Sequence, residues 1–163
     1  MNQSEPLFER RRNACFREML PLAQVAAVSV DNKRRRLRRA ASLVQYDTGR
    51  GLLPILADPK TYGATAFDQI AEYLGIEDDR LQTYIDVADA FDRDFIERES
   101  QIQMACGRYL DIAYFAELVP LRNDEEQIAL ALWHIREDNL SLAKVHRLVR
   151  RVLLGHRLTE HDS

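Results

Sequence analysis

Residues 65–90 read TAFDQIAEYLGIEDDRLQTYIDVADA, and the reading of this stretch decides the fold. Ile70, Ala71 and Leu74 recur at helical spacing and form the apolar stripe of a first helix. Gly75 follows at the point where the chain must leave that helix, and a residue without Cβ takes φ > 0 there at no steric cost. Ile76 turns back to the core. Leu81 and Tyr84 are the inward residues of a second helix over 77–90. Ala71, four places before the glycine, is small enough to let the two helices cross closely.

This is the spacing of a helix-turn-helix, whose second helix enters the DNA major groove in proteins that use it so; the same spacing also serves purely structural helix pairs. On the second helix Arg80, Gln82 and Thr83 are the side chains of a type that contacts bases. The positions expected to face solvent are Glu77, Asp78, Asp79, Gln82, Thr83 and Asp86, four of them carboxylates. A carboxylate can accept from cytosine N4 but repels phosphate. Either the helix reads DNA from a frame held down by cations elsewhere, or the unit faces a protein partner.

Charge is distributed in a way that bears on this choice. Residues 1–60 hold 12 basic and 6 acidic side chains (net +6), 61–130 hold 5 and 16 (net −11), and 131–163 hold 6 and 4 (net +2). The densest run, KRRRLRR over 33–39, places six cations in seven residues. As a phosphate-gripping segment, Lys33, Arg34, Arg35, Arg36, Arg38 and Arg39 would make binding fall steeply with salt. The run could also be a solvated helix face or a flexible turn, or dock on the acidic middle of this chain or of a second subunit. The division expected is a basic N-terminal helical region (1–60), a helix-turn-helix domain (61–155) and a frayed tail (156–163).

The chain of 163 residues is long enough for one domain with a packed core, 46% of it hydrophobic. No apolar run is long enough for a membrane span, and MNQSEPLFERRR lacks the apolar segment of a signal peptide. Cys15 and Cys106 read as buried free thiols in a reducing cytoplasm. Helical patterns follow one another throughout. Glu5–Met19 and the run LAQVAAVSV come first, and Asp31 and Asn32 cap the arginine-rich segment. Gly49, Gly51 and Pro54 loosen or kink the helix after it. Asp58-Pro59-Lys60 is a stop, and Thr65 caps the first helix of the central unit with Asp68 in support. A charged helix, or a helix with a break, ends near Gly107. Tyr109, Ile112, Ala113, Ala116 and Val119 make the next stripe, stopped by Pro120. Asn123, with Glu126, caps EEQIALALWHIRE, which Leu130 and Trp133 would bury on most sides. Ser141 caps the last helix, Gly155 ends it, and Lys144, Arg147 and Arg151 line its outer face as a second phosphate grip. The expected class is therefore all-α, a multi-helix bundle.

The segment GRYLDIAYFAELVPLRNDEEQIALALWHIREDNLSLAKVHRLVRR, after QIAEYLGIEDDRLQTYIDVADAF, resembles the part of ParB/KorB-type proteins that contains and follows their helix-turn-helix. The likeness covers about 65–151: an alanine- and leucine-rich helix, a break, the acidic start NDEEQ, a long apolar helix, then a leucine–serine cap opening a basic helix. GRGLLPILADPKTYG is similar, more weakly, to small regulators of plasmids and integrative elements. The resemblance implies DNA binding through helix 77–90, in proteins that partition plasmids or repress transcription, often as dimers. The nucleotide-binding domain of full ParB proteins has no counterpart in 1–60, so no nucleotide or other cofactor is expected. The acidic EDD at 77–79 stands where that family more often has small polar or basic residues.

No catalytic or metal constellation is visible. His134, His146, His156 and His161 include no HExxH and no pair four apart, and there is no CxxC. Asp78 and Asp79 are adjacent on a helix and point about 100° apart. The function expected is a DNA-binding regulator or partition-type protein acting on duplex DNA. Its competitor is a protein-interaction module or inhibitor whose acidic 61–130 surface binds a basic partner or mimics DNA. A third reading is a structural subunit with Trp133 at an interface.

Overall fold

The computed structural model describes Arg17 and residues 41–159. Apart from Arg17, the helices expected over 5–30 and the run Lys33–Arg39 lie outside the described residues. The elements are α1 (41–57), α2 (Pro59–Tyr62), α3 (Ala66–Leu74), α4 (Asp78–Ala90), α5 (Arg93–Glu99), α6 (Ile112–Leu118) running into a 3₁₀ turn (Val119–Leu121), α7 (Glu125–Glu137) and α8 (Leu142–Leu153). Among the described residues there is no strand, only an isolated bridge between Gln103 and Tyr109. The all-α bundle expected from sequence is what forms.

The centre is α6, which packs against α4 on one side and α8 on another, while α8 also packs on α7. Its Phe115 and Leu118 are fully buried, as are Leu81 of α4, Ile96 of α5, Ile135 of α7 and Val145 of α8. Burying each such side chain contributes about 1.5–3 kcal/mol. Tyr46 and Leu52 of α1 belong to the same apolar core as these residues. The boundary at residue 60 is therefore no break in packing among the described residues.

The corner between α3 and α4 forms as the glycine requires. Gly75 has φ 65° and ψ 33°. Its N–H donates to Glu72 O, and the Ile76 N–H donates to Ala71 O, each at 3.1 Å. That bond pattern satisfies the last carbonyls of α3. Ile76 packs half-buried on the core and Ala71 is buried, but Leu74, expected in the stripe, is 44% exposed. A Cβ at Gly75 would meet nothing within 4 Å, so the cost of a side chain there is conformational alone. Gly75→Ala is expected to destabilise by about 1–2 kcal/mol, and Gly75→Asn by less, in chemical denaturation.

Several expected boundaries move. Thr65 and Ser141 occupy the N-cap positions of α3 and α8 without a side-chain capping bond. Asp124, not Asn123, caps α7 by accepting from Gln127 N–H at 3.2 Å. The charged helix ends at Glu99 rather than near Gly107, because 103–109 folds into a small turn that inserts Met104 into the core. Met104 N–H donates to Arg108 O, and Ala105 N–H donates to Arg136 O at the end of α7, both at 2.8 Å. In α6 the inward set is Ile112, Tyr114, Phe115 and Leu118, with Ala113, Ala116 and Val119 only half-buried. Trp133 is 41% exposed, while Gln127 and His134, which are polar, are buried on the inner side of α7. Helix α1 runs through Gly49, Gly51 and Pro54 as continuous α-helix to residue 57.

Candidate nucleic-acid interface

Helix α4 is held from several directions. Leu81, Tyr84, Ile85, Val87 and Ala88 are buried. Helix α1 crosses so closely that a Cβ on Gly49 would fall on the backbone of Tyr84 and Ile85. The Tyr46 hydroxyl donates to Phe91 O at 3.0 Å just beyond the end of α4. What remains in solvent is one face, carrying Glu77, Asp78, Asp79, Arg80, Gln82, Asp86 and Asp89.

The three base-contact candidates sit together on the N-terminal half of that helix, each with a partner of its own. The Gln82 amide donates to Asp86 Oδ1 at 2.7 Å. The half-buried Thr83 donates its hydroxyl back to Asp79 O at 2.8 Å. The Arg80 guanidinium lies 6.0 Å from the Tyr84 ring centroid. A bond such as Gln82–Asp86 is solvent-exposed and worth only about 0.2–0.5 kcal/mol, so a better partner could displace it. Asp89 is paired with Arg122 at 3.1 Å. Beside these residues a shallow cleft of about 420 Å³ opens between Gln45, Arg80, Thr83, Asp111 and Ala113.

The phosphate-contact candidates divide in two. Lys33, Arg34, Arg35, Arg36, Arg38 and Arg39 lie outside the described residues. Lys144, Arg147 and Arg151 are all exposed on α8, with Arg150 also exposed beside them. The opposite side of α8 buries Val145, Leu148 and Val149. The sequence of α8, LAKVHRLVRRVL, contains no carboxylate. His146 pairs with Glu117 Oε2 at 3.0 Å.

Other polar residues that pattern reading passed over are organised by tertiary contact. Glu99 is 8% exposed and receives Arg136 Nη2 on one carboxylate oxygen and Arg98 Nε, at 2.8 Å, on the other. Burial pushes the Glu99 carboxyl up, but the hydrogen bonds and charge of Arg136 and Arg98 outweigh it and hold the group below its ordinary value. Cys106, expected to be buried, is exposed, because the turn at 104–108 carries it on the solvent side. Burial raises its thiol, and the Arg108 guanidinium beside it more than offsets that, leaving the thiol below its usual range.

The segment after α8 was expected to fray, and through residue 159 it does not. Leu158 is 4% exposed and in the core. Its N–H donates to Gln127 Oε1 at 2.7 Å. Arg157 reaches Glu126 at 2.8 Å and Asp124 at 3.4 Å. The physical reason is that α7 offers two buried polar atoms, Gln127 Oε1 and His134 Nε2, that pair with the segment's backbone; residues 160–163 lie outside the described residues.

Among the described residues no group of three or more His, Cys, Asp or Glu side chains is placed to hold a metal, and no helix is long and apolar enough to cross a membrane. Comparison with protein-family models, with curated proteins and with solved structures finds no match.

Proposed function

We propose that the chain binds double-stranded DNA, with α8 as a phosphate grip and the N-terminal half of α4 as the element nearest the bases. The observation that carries this reading is the exposed row Lys144, Arg147 and Arg151 on a helix with no carboxylate, in a chain whose net charge is −3. The α3–Gly75–α4 corner supports it, as does the resemblance of 65–151 to ParB/KorB-type proteins. The basic run 33–39 is a second grip. Arg80 and Gln82 supply donors toward base edges, and the hydroxyl of Thr83 can accept. The carboxylates at 77–79 weaken non-specific attraction at that end, so affinity rests on the basic segments and sequence preference on α4. A partition or regulatory role, exercised as a dimer in the cytoplasm, follows by resemblance; no catalytic role is proposed.

Fluorescence anisotropy with a labelled duplex tests this. The logarithm of the binding constant should fall linearly with the logarithm of salt concentration. Changing Lys144, Arg147 and Arg151 together to Ala should reduce that slope by roughly 2–3 without altering the helical circular-dichroism signal. Arg80→Ala with Gln82→Ala should leave the slope nearly unchanged and reduce discrimination between duplexes. Absence of salt-sensitive binding, or a slope indifferent to the α8 triple change, overturns the proposal.

A specific observation favours one other reading. The solvent face of α4 presents Glu77, Asp78, Asp79, Asp86 and Asp89 against the single cation Arg80, the pattern of a surface that receives a basic protein. Retention on a polylysine matrix, lost on reversing Asp79 and Asp86 to Lys while duplex binding is absent, would select that reading.

A further inference from the structure

His134 is fully buried, and both of its ring nitrogens face oxygens that can only accept. Nδ1 lies 3.1 Å from Asp138 Oδ2, and Nε2 lies 2.8 Å from the backbone carbonyl of Thr159. A neutral imidazole carries one N–H and can donate to one of these oxygens, leaving a lone pair aimed at the other. The imidazolium donates to both. Thr159 belongs to the segment that follows α8, so the second of these bonds is one of the contacts that seat this segment on α7. Arg157 on Asp124 and Glu126, and Leu158 N–H on Gln127, are others.

We propose that residues 156–159 are a proton-dependent latch, closed on α7 when His134 is doubly protonated and loosened when it is not. The segment leaves α8 through Gly155, which has φ 97° and open space around it, so the latch can lift without disturbing the helix. The sign follows from the count of donors. The closed form uses one more proton than the open form requires, so low pH favours closure and high pH favours opening.

The charged groups described on the elements around the ring include these. Just past the end of α7, Asp138 faces it directly, with the Trp133 ring of α7 edge-on at 4.8 Å between centroids. The segment brings Arg157, already engaged by Asp124 and Glu126, and the exposed His156. Helix α8, which also packs on α7, carries Lys144, His146, Arg147, Arg150 and Arg151 on its exposed side. His146 and His156 are exposed histidines away from the two bonds of His134, so they serve as controls.

Hydrogen exchange by NMR tests the latch on the full chain. The Leu158 amide, corrected for intrinsic exchange and referenced to the Phe115 amide in α6, should be roughly tenfold less protected at about pH 8 than at about pH 5.5. His146→Gln and His156→Gln should keep that difference, and His134→Gln should remove it. Asp138→Asn is the decisive variant. An amide can donate to Nδ1 of the neutral ring while Nε2–H donates to Thr159 O, so protection should persist at the higher pH. It also alters a partly exposed position and keeps the test open should His134→Gln fail to fold. Equal Leu158 protection at both pH values in the unmodified chain, or a pH dependence that survives Asp138→Asn or vanishes with His146→Gln, overturns the proposal.

Discussion

Gly49→Ala is expected to destabilise the protein by at least about 3 kcal/mol. An added Cβ would lie 2.1 Å from Tyr84 O, 2.3 Å from Tyr84 C and 2.8 Å from Ile85 N, all of them backbone atoms of α4. No rotamer change relieves a clash with backbone. Helix α1 would have to move away from α4, and the packing of Tyr46 and Leu52 and the Tyr46–Phe91 bond would go with it. Gly51, two residues on in the same helix, is the internal control. A Cβ there meets nothing within 4 Å, so Gly51→Ala should stabilise by up to about 1 kcal/mol through helix propensity alone. Urea denaturation of the two variants beside the parent decides the matter. Equal and small effects at both positions would mean that α1 does not cross α4 at Gly49.

Removing the carboxylate of Glu99 should cost about 3–5 kcal/mol, because it leaves the guanidinium of Arg136 largely buried without its counter-charge. The Arg136 side chain is 15% exposed and that of Glu99 is 10% exposed, and Arg136 Nε already lacks a hydrogen-bond partner. The pair joins the end of α5 to the end of α7, where the Arg136 carbonyl also holds the 103–109 turn through Ala105 N–H. Because the Glu99 carboxyl is held below its ordinary value, its contribution is complete above the unfolded carboxyl range. It is lost as pH falls through the lower folded value. The stability gap between the parent and Glu99→Gln should therefore be widest near neutral pH and close in acid. A gap that is constant from about pH 7 to about pH 3 would show that the charge on Glu99 is not what matters.

The candidate interface was legible in part, and the reason is the range of the interactions involved. Arg80, Gln82 and Thr83 could be placed on the outer side of α4 from helical spacing, and so could Lys144, Arg147 and Arg151 on α8, because which residues share a helix face is a property of the helix. That Gln82 is held by Asp86 and Asp89 by Arg122 could not be read in the same way, since side-chain partners are chosen among several within reach. Trp133 illustrates the opposite failure. Its bulk argued for burial, yet the inner side of α7 goes to Gln127 and His134, whose Oε1 and Nε2 pair with the returning C-terminal segment.

By itself the sequence determined the corners of this protein. Gly75 and Gly155 end their helices, and the all-α class follows, because corners depend on a few consecutive residues; the side-chain caps at Asp58 and Asp92 were not read from it. Only the tertiary structure decided which glycine is a crossing point and which is open, which carboxylate is buried with an arginine, and that the chain beyond α8 returns to α7. Each of those outcomes needs a partner some 25 to 45 residues away, and no local pattern specifies how two distant segments meet.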